Sequence, residues 1–406
     1  MEAAGMRLRG NQSTARALNR RLVLDQLRRN GSMSRAEITA AIGLSAAAIS
    51  FITAQLIDEG ILIEGEAVQG AGGRRPIPLK INYASRHSIG LKVMVDRVIG
   101  VITDLETAVL AETELPILDT DPASVALVCA RVARLLVAEA GSAWDRVIGV
   151  GVAISGQVDA EAGVCIQMQR FKWRDVPLAA MLVDSLAVPV WLDNDANAFA
   201  VSQHLFGHGR GTQDLAAIAV GRGIGAGLVI SGRLHRGASG AAGEFGHNFE
   251  AAGRICECGR EGCLETRCAD SGLLASWAER DPLAAGKGMD DLVAAAAAGD
   301  RIVRDIVADA GTRLGRHVGA LVNLVDPEMI VFGGEGVRLG RFLYDPLRRV
   351  LDQVCYPGTP RVAIDWEGTG WPRGAAALAI QHFFNFEVTG GYIAQSPELR
   401  AVERVA

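Results

Sequence analysis

Four donors suited to a soft metal fall within seventeen residues, His247, Cys256, Cys258 and Cys263, in the spacing His-x8-Cys-x-Cys-x4-Cys. Three thiolates and an imidazole suit tetrahedral Zn2+. A full set of four protein ligands leaves no open position for a catalytic water, so an ion here is expected to be structural. Gly253, Gly259 and Gly262 let the backbone fold tightly around it. The alternative is reduced, buried cysteines beside an unrelated histidine. Seven cysteines, an odd number in a long chain, argue against a disulfide framework. Cys129, Cys165 and Cys355 read as core residues, and Cys268 lies just outside the cluster.

A second group is Asp193-Asn194-Asp195-Ala196-Asn197-Ala198, placed after an apolar run and opening an Ala-rich stretch. A carboxylate and an amide at the C-terminal end of a strand can hydrogen-bond a polyol, and the carboxylate can act as a general base. Asp and Asn also cap helices, and both readings stand at this point. Two glycine strings follow, Gly221-Arg222-Gly223-Ile224-Gly225-Ala226-Gly227 and Gly237 to Gly246. Such strings bring backbone amides close to a ligand, often a phosphate, or allow close strand packing.

The elements that must position these groups divide the chain. In the first 82 residues, Leu18, Leu22, Val23 and Leu27 recur at helical spacing before a stop at Asn30-Gly31. Ser34 and Glu37 form a capping box for a short helix ending at Gly43. Ser45 caps a third helix with Ile49, Ile52 and Leu56 on one face. Two short strands, Ile61 to Glu64 and Leu79 to Ile81, flank Gln69 to Pro76. This pattern is a winged helix-turn-helix over residues 1–82, the alternative being a three-helix unit used for packing. Two adjacent guanidinium groups, Arg74 and Arg75, on a wing tip suit a phosphate-lined minor groove.

From about residue 86, strands 88–104, 147–155, 188–192, 215–220, 227–230 and 329–332 alternate with amphipathic stretches 122–140, 195–206 and 301–325. The alternation predicts an α/β body. The residues after it, 386–406, read as a loosely attached tail.

The formal net charge of −5 hides an asymmetry. Residues 1–82 hold 11 Lys/Arg against 7 Asp/Glu, giving +4, and the other 324 hold 30 against 39, giving −9. The split predicts a small module facing a polyanion, attached to an acidic body with another task. No apolar run approaches the ~18 residues of a membrane span, and the first ten residues lack the apolar core of a signal peptide. The chain is therefore expected in the cytoplasm, with no membrane partner.

Taken together, Asp193–Ala198, Gly237–His247, Cys256-x-Cys258-x4-Cys263-x-Glu265 and Phe332-Gly333-Gly334 resemble the ROK family of repressors, open reading frames and sugar kinases, over residues 14–385. The resemblance implies an actin-like, hexokinase-type fold of two α/β lobes, the first over 83–200 and the second over 201–385 with the zinc loop and the C-terminal helix, and a sugar in the cleft between them. It implies sugar contacts from Asn194, Asp195, Glu244, His247 and Glu265, His247 serving the zinc as well.

The kinases of this family carry Asp-x-Gly-Gly-Thr after their first strand. Here that motif aligns with Lys92, Val93, Met94, Val95 and Asp96, so side chains stand where phosphates would approach the backbone. Phosphoryl transfer depends on positioning and neutralising the nucleotide, and its loss is expected. Arg222 replaces the family's usual threonine. The resemblance thus implies a non-enzymatic, sugar-responsive repressor acting on double-stranded operator DNA as a homodimer or tetramer. Ser45, Ala46, Ala47 and Ser50 would meet the major groove and Arg74 and Arg75 the minor groove. A kinase with a DNA-binding appendage, in which Lys92 and Arg222 neutralise phosphate, and a body that binds a regulatory protein are the alternatives.

Overall fold

The computed structural model describes residues 12–66, 76–366 and 370–384. The N-terminal module consists of α1 (Gln12–Asn30), β1 (Met33–Ser34), α2 (Arg35–Ile42), α3 (Ala46–Asp58), β2 (Leu62–Glu64) and β3 (Pro78–Ile81). The capping box at Ser34 and Glu37 is present, and Gly43, with φ of 76°, ends α2 in the left-handed conformation that favours glycine. The three strands pair in the order β1-β3-β2. Val23, Leu24, Leu27, Ile38, Ile49 and Leu56 are buried between the helices. Leu18 and Leu22 face instead a cavity of about 360 Å³ between α1 and the body.

The body repeats one plan twice. The first sheet is built from β4 (His87–Val93), β5 (Arg97–Thr103), β6 (Val109–Pro116), β7 (Val147–Ile154) and β11 (Val190–Asn194), in the order β11-β7-β4-β5-β6. The hairpin strands β8 (Gln157–Asp159), β9 (Val164–Met168) and β10 (Trp173–Val176) form a small separate sheet. Helices α4 (Pro122–Glu139) and α5 (Leu178–Leu186) pack with the first sheet. Residues 88–104, expected as one strand, form a hairpin that turns at Met94–Asp96, where the Met94 amide donates to the Arg97 carbonyl at 2.8 Å. The fold thus lays two pleated faces over one core where the apolar run suggested a single strand.

The second sheet runs β14-β13-β12-β15-β16, from β12 (Leu215–Val220), β13 (Ile224–Ile230), β14 (Arg233–Leu234), β15 (Met329–Gly333) and β16 (Arg361–Ile364). In each sheet three parallel strands are continued at one edge by two strands whose pairings are both antiparallel. Both are filled by Val, Ile and Ala, as sheets covered on two faces must be. Helix α6 (Asp195–Leu205) lies on one face of the second sheet. The other face is packed by α7 (Glu265–Cys268), α8 (Asp270–Arg280), α9 (Met289–Ala298), α10 (Arg301–Val325) and α11 (Arg341–Val354).

Two expected boundaries change. Helix α12 (Gly370–Phe384), assigned to the second lobe, packs on β4 and β7 of the first sheet, and α6 belongs by packing with the second. The physical reason is a backbone seat. A Cβ at Gly90 or Gly151 would collide with main-chain atoms of Pro372, Ala375 and Ala376, and one at Gly227 with Ala196 and Ala200. The chain therefore crosses from the first lobe to the second at about residue 195 and returns with its last described helix. The expected tail over 386–406 lies outside the described residues. No helix among the described residues is long and apolar enough to cross a membrane.

Candidate functional site

Between the lobes lies a cleft of about 490 Å³. Strand β11 delivers Asp193, Asn194 and Asp195 to its floor, where α6 begins. Asp193 is buried. Its Oδ1 accepts from the Asn194 amide and from Asn197 Nδ2, both at 2.8 Å, and its Oδ2 from Arg236 Nε at 2.9 Å. Asn194 is the helix cap: its Oδ1 accepts from the Ala196 amide at 2.8 Å, while its Nδ2 donates to the Gly156 carbonyl at 2.9 Å. Asn194 thus caps α6 while it also lines the cleft. Asp195 faces the cleft. Its Oδ2 accepts from Ser155 Oγ at 3.1 Å and forms an ion pair with Lys92 Nζ.

The wall opposite is built by the second glycine string and the metal loop. Gly243, with φ of 86°, sits where a Cβ would strike the Ala226 carbonyl, so the string owes its glycine here to close backbone packing. It presents Glu244, whose carboxyl burial pushes above the usual range against the pull of the neighbouring His247. Glu265 opens α7. Its Oε1 accepts from the Ile224 amide at 2.7 Å, and its Oε2 lies 3.8 Å from His247 Nδ1. His247 Nε2 lies 3.6 Å from Glu244 Oε2. The sequence-predicted groups Asn194, Asp195, Glu244, His247 and Glu265 all line this one cleft.

One donor atom each from His247, Cys256, Cys258 and Cys263 lie within 4.8 Å of one another, an arrangement that can hold a metal ion. His247 turns Nδ1 toward Cys256 Sγ, 3.6 Å away, and leaves Nε2 on the Glu244 side. Burial pushes the Cys256 thiol up to about 12. It also acts upward on Cys258, yet hydrogen bonds from the Arg260 backbone and guanidinium and from Cys256 and Cys263 bring that thiol down to about 7. A thiol so placed is readily a thiolate, the form that binds metal.

Lys92, Trp371 and Glu335 line the other end of the same cleft. Lys92, on β4, is 4% exposed, pairs with Asp195 and stands 5.4 Å from the centroid of the Trp371 ring. Trp371 Nε1 donates to Glu335 Oε1 at 3.2 Å. The Glu335 carboxylate covers Gly221, so closely that a Cβ there would meet its Oε2. Sequence reasoning found Lys92 but missed Trp371 and Glu335; Glu335 directly follows Gly333-Gly334, a local signal, whereas Trp371 had none. Trp173 is 3% exposed and donates its Nε1 proton to the Thr120 carbonyl at 2.7 Å, a core residue.

On the N-terminal module, Ser45, Ala46, Ala47 and Ser50 are all exposed on the leading half of α3. The Ser45 hydroxyl accepts from the Ala48 amide at 3.2 Å and so caps the helix. Phe51, 55% exposed beside them, was missed; its place out of step with Ile49, Ile52 and Leu56 was the available signal. Arg74 and Arg75 lie outside the described residues.

Comparison with known proteins gives this architecture a family. The ROK family profile matches residues 88–381, nearly three quarters of the chain. The chain belongs to the ROK family. A winged helix-turn-helix DNA-binding profile matches residues 16–63. The xylose repressor of Caldicellulosiruptor bescii is 30% identical over 366 residues, spanning 86% of this chain and 90% of that protein. Among solved structures, a ROK family transcriptional regulator described as a homolog of the E. coli MLC protein superposes with a TM-score of 0.79 at 25% identity, over 92% of this chain and 97% of that one. A ROK family glucokinase from Streptomyces griseus, solved with glucose and AMPPNP, gives a TM-score of 0.64 at 27% identity, over 73% of this chain and 99% of that one. The kinase covers the body alone, and the regulator covers body and winged helix together. This ROK protein is built as a transcriptional regulator, not as one of the family's enzymes.

Proposed function

We propose that this ROK protein is a cytoplasmic repressor of carbohydrate-use genes whose body senses a sugar. One observation carries the reading: Asp195, Glu244, His247 and Glu265 line one end of the cleft with their polar groups, while at the other end Lys92 is paired with Asp195 and the Glu335 carboxylate, held by Trp371, lies against Gly221 of the glycine loop. A carboxylate lying against Gly221 opposes a phosphate at that turn of the loop by like-charge repulsion. Asp195 would accept a hydrogen bond from a sugar hydroxyl, and Glu244, Glu265 and His247 Nε2 would bind others, with Asn194 shaping the floor. Zn2+ would be held by His247 Nδ1, Cys256, Cys258 and Cys263, a closed tetrahedral set that stiffens the loop carrying Glu244 and Glu265.

As a homodimer, the protein would set two copies of α3 on a two-fold symmetric operator. Ala46, Ala47 and Phe51 offer apolar contact to thymine methyls, Ser45 and Ser50 supply hydroxyls, and Arg74 and Arg75 reach the minor groove. Sugar and operator favour different conformers, so each weakens the other's binding, by roughly 5–150-fold for a typical coupling of ~1–3 kcal/mol. The test is a thermal-shift screen of the full chain against monosaccharides and their phosphates, followed by operator binding with and without the sugar that stabilises. Stabilisation by a sugar that also releases DNA is the expected result. Sugar-dependent turnover of ATP would overturn it.

A further inference from the structure

We infer that Lys92 and Trp371 carry the state of the sugar site into the DNA-binding module along α12. The inference rests on the sensor reading above and concerns how occupancy of Asp195 reaches α1–α3. Lys92 Nζ has Asp195 as its one ion-pair partner among the described residues, and the Lys92 side chain is 4% exposed. A buried ammonium cannot be left without its counter-charge. A sugar hydroxyl donating to Asp195 Oδ2 competes with Lys92 and Ser155 for the same oxygen. Lys92 then follows the carboxylate or moves toward Trp371 and, beyond it, Glu335.

Trp371 is the second residue of α12. That helix is seated backbone against backbone, on Gly90 and Gly151 beneath and with its own Gly374 against Ala198 of α6. So close a fit shifts as a unit instead of deforming. Fifteen residues reach about 22 Å. At the far end Ile380 and Phe384, both fully buried, belong to the same apolar cluster as Val23, Leu27, Ile38, Ile49 and Leu56. A second rod runs alongside: α6 begins at Asp195 and ends at Leu205, whose carbonyl accepts from Arg28 of α1 at 3.3 Å. Asp195 and Trp371, the two residues that flank the Lys92 ammonium, therefore each sit at the head of a helix whose other end meets the DNA module. Trp371 is a positioning residue, since it acts through Lys92 and α12 and not on the ligand.

The experiment is hydrogen exchange by mass spectrometry on the full chain. Without ligand, Lys92→Met and Trp371→Leu are expected to speed exchange roughly fivefold in residues 376–384 and 23–30, while strands 215–220 and 329–333 keep wild-type rates. Trp371→Phe, which keeps a ring but loses the N–H, falls between, and Arg222→Ala on the exposed rim stays at wild type. Unchanged exchange in 376–384 and 23–30 overturns the relay, and so does acceleration spread evenly over both sheets, which makes the pair a packing element only. In a second arm, D-xylose, D-glucose, N-acetylglucosamine and their phosphates are added. Whichever raises the wild-type melting temperature is expected to change the same two segments in wild type and not in Trp371→Leu; a change persisting in that variant overturns the relay. A wild type indifferent to every one of these sugars breaks the sensor reading, while the ligand-free arm still decides the relay.

Discussion

The two halves of the cleft have fared differently. On one side Asp195, Glu244, His247 and Glu265 remain open to a ligand; on the other Lys92 and Trp371 line the wall and Glu335, bonded to Trp371, lies over Gly221. The open half is built from polar groups that the fold also needs. Asp193 ties β11, α6 and Arg236 together, Asn194 caps α6, and Glu265 holds the Ile224 amide. The filled half consists of space above a glycine, and space has no partners that suffer when a side chain enters it. A polar network resists change because each member would strand another, whereas a void can be lost one residue at a time.

That contrast can be broken or sharpened by substitution. The largest effect is expected from Cys258→Ala, which should take bound zinc from one ion per chain to none by elemental analysis. Structural zinc in small peptide sites is worth about 10–16 kcal/mol, so the loop behind the open half should unravel and the sugar response vanish. Zinc-free wild-type protein would remove the metal from the argument. Next is Gly243→Ala, in the open half, where φ of 86° and the Ala226 carbonyl both oppose a side chain. Urea unfolding should show a loss of about 3 kcal/mol.

Glu244→Gln should weaken sugar binding by roughly 10–30-fold in calorimetry, the worth of one hydrogen bond to a charged acceptor, and leave the melting temperature and operator affinity alone. Loss of DNA binding by this variant would contradict the separation of the two tasks. The smallest effect is reserved for Gly221→Ala, in the filled half. Its new Cβ meets chiefly the far end of the Glu335 side chain, with the Glu335 backbone nitrogen 3.3 Å away, so about 1 kcal/mol of stability should be lost, where a loop still shaped for phosphate would lose its ligand.

Much of the site was legible because its determinants are local. The four metal donors fall between 247 and 263, and their convergence needs no distant partner. Asp193–Asp195 announced a strand end and a helix start, and the capping box at Ser34 and Glu37 announced α2. What stayed hidden depends on long-range contact. Lys92 and Asp195 are 103 positions apart, and Trp371 and Glu335 are 36 apart. The seat of α12 on the first sheet also escaped, because Gly90 and Gly151 read locally as ordinary strand glycines and only the folded chain shows the helix pressing on them. The hairpin at 94–96 was lost for the opposite reason: both of its strands are buried on nearly every residue, so no in–out alternation marked the turn.

The burial of Ile380 and Phe384 among the side chains of α1–α3 has a bearing on how the protein is made. Domains generally fold as they leave the ribosome, N-terminal part first. Here the winged-helix module, made well before α12, must wait for that helix before its interior is closed. A nascent or prematurely terminated polypeptide ending before residue 370 would carry a reading head with an unfinished interior, so fragments of this regulator are poorly equipped to compete with the intact molecule for its genes.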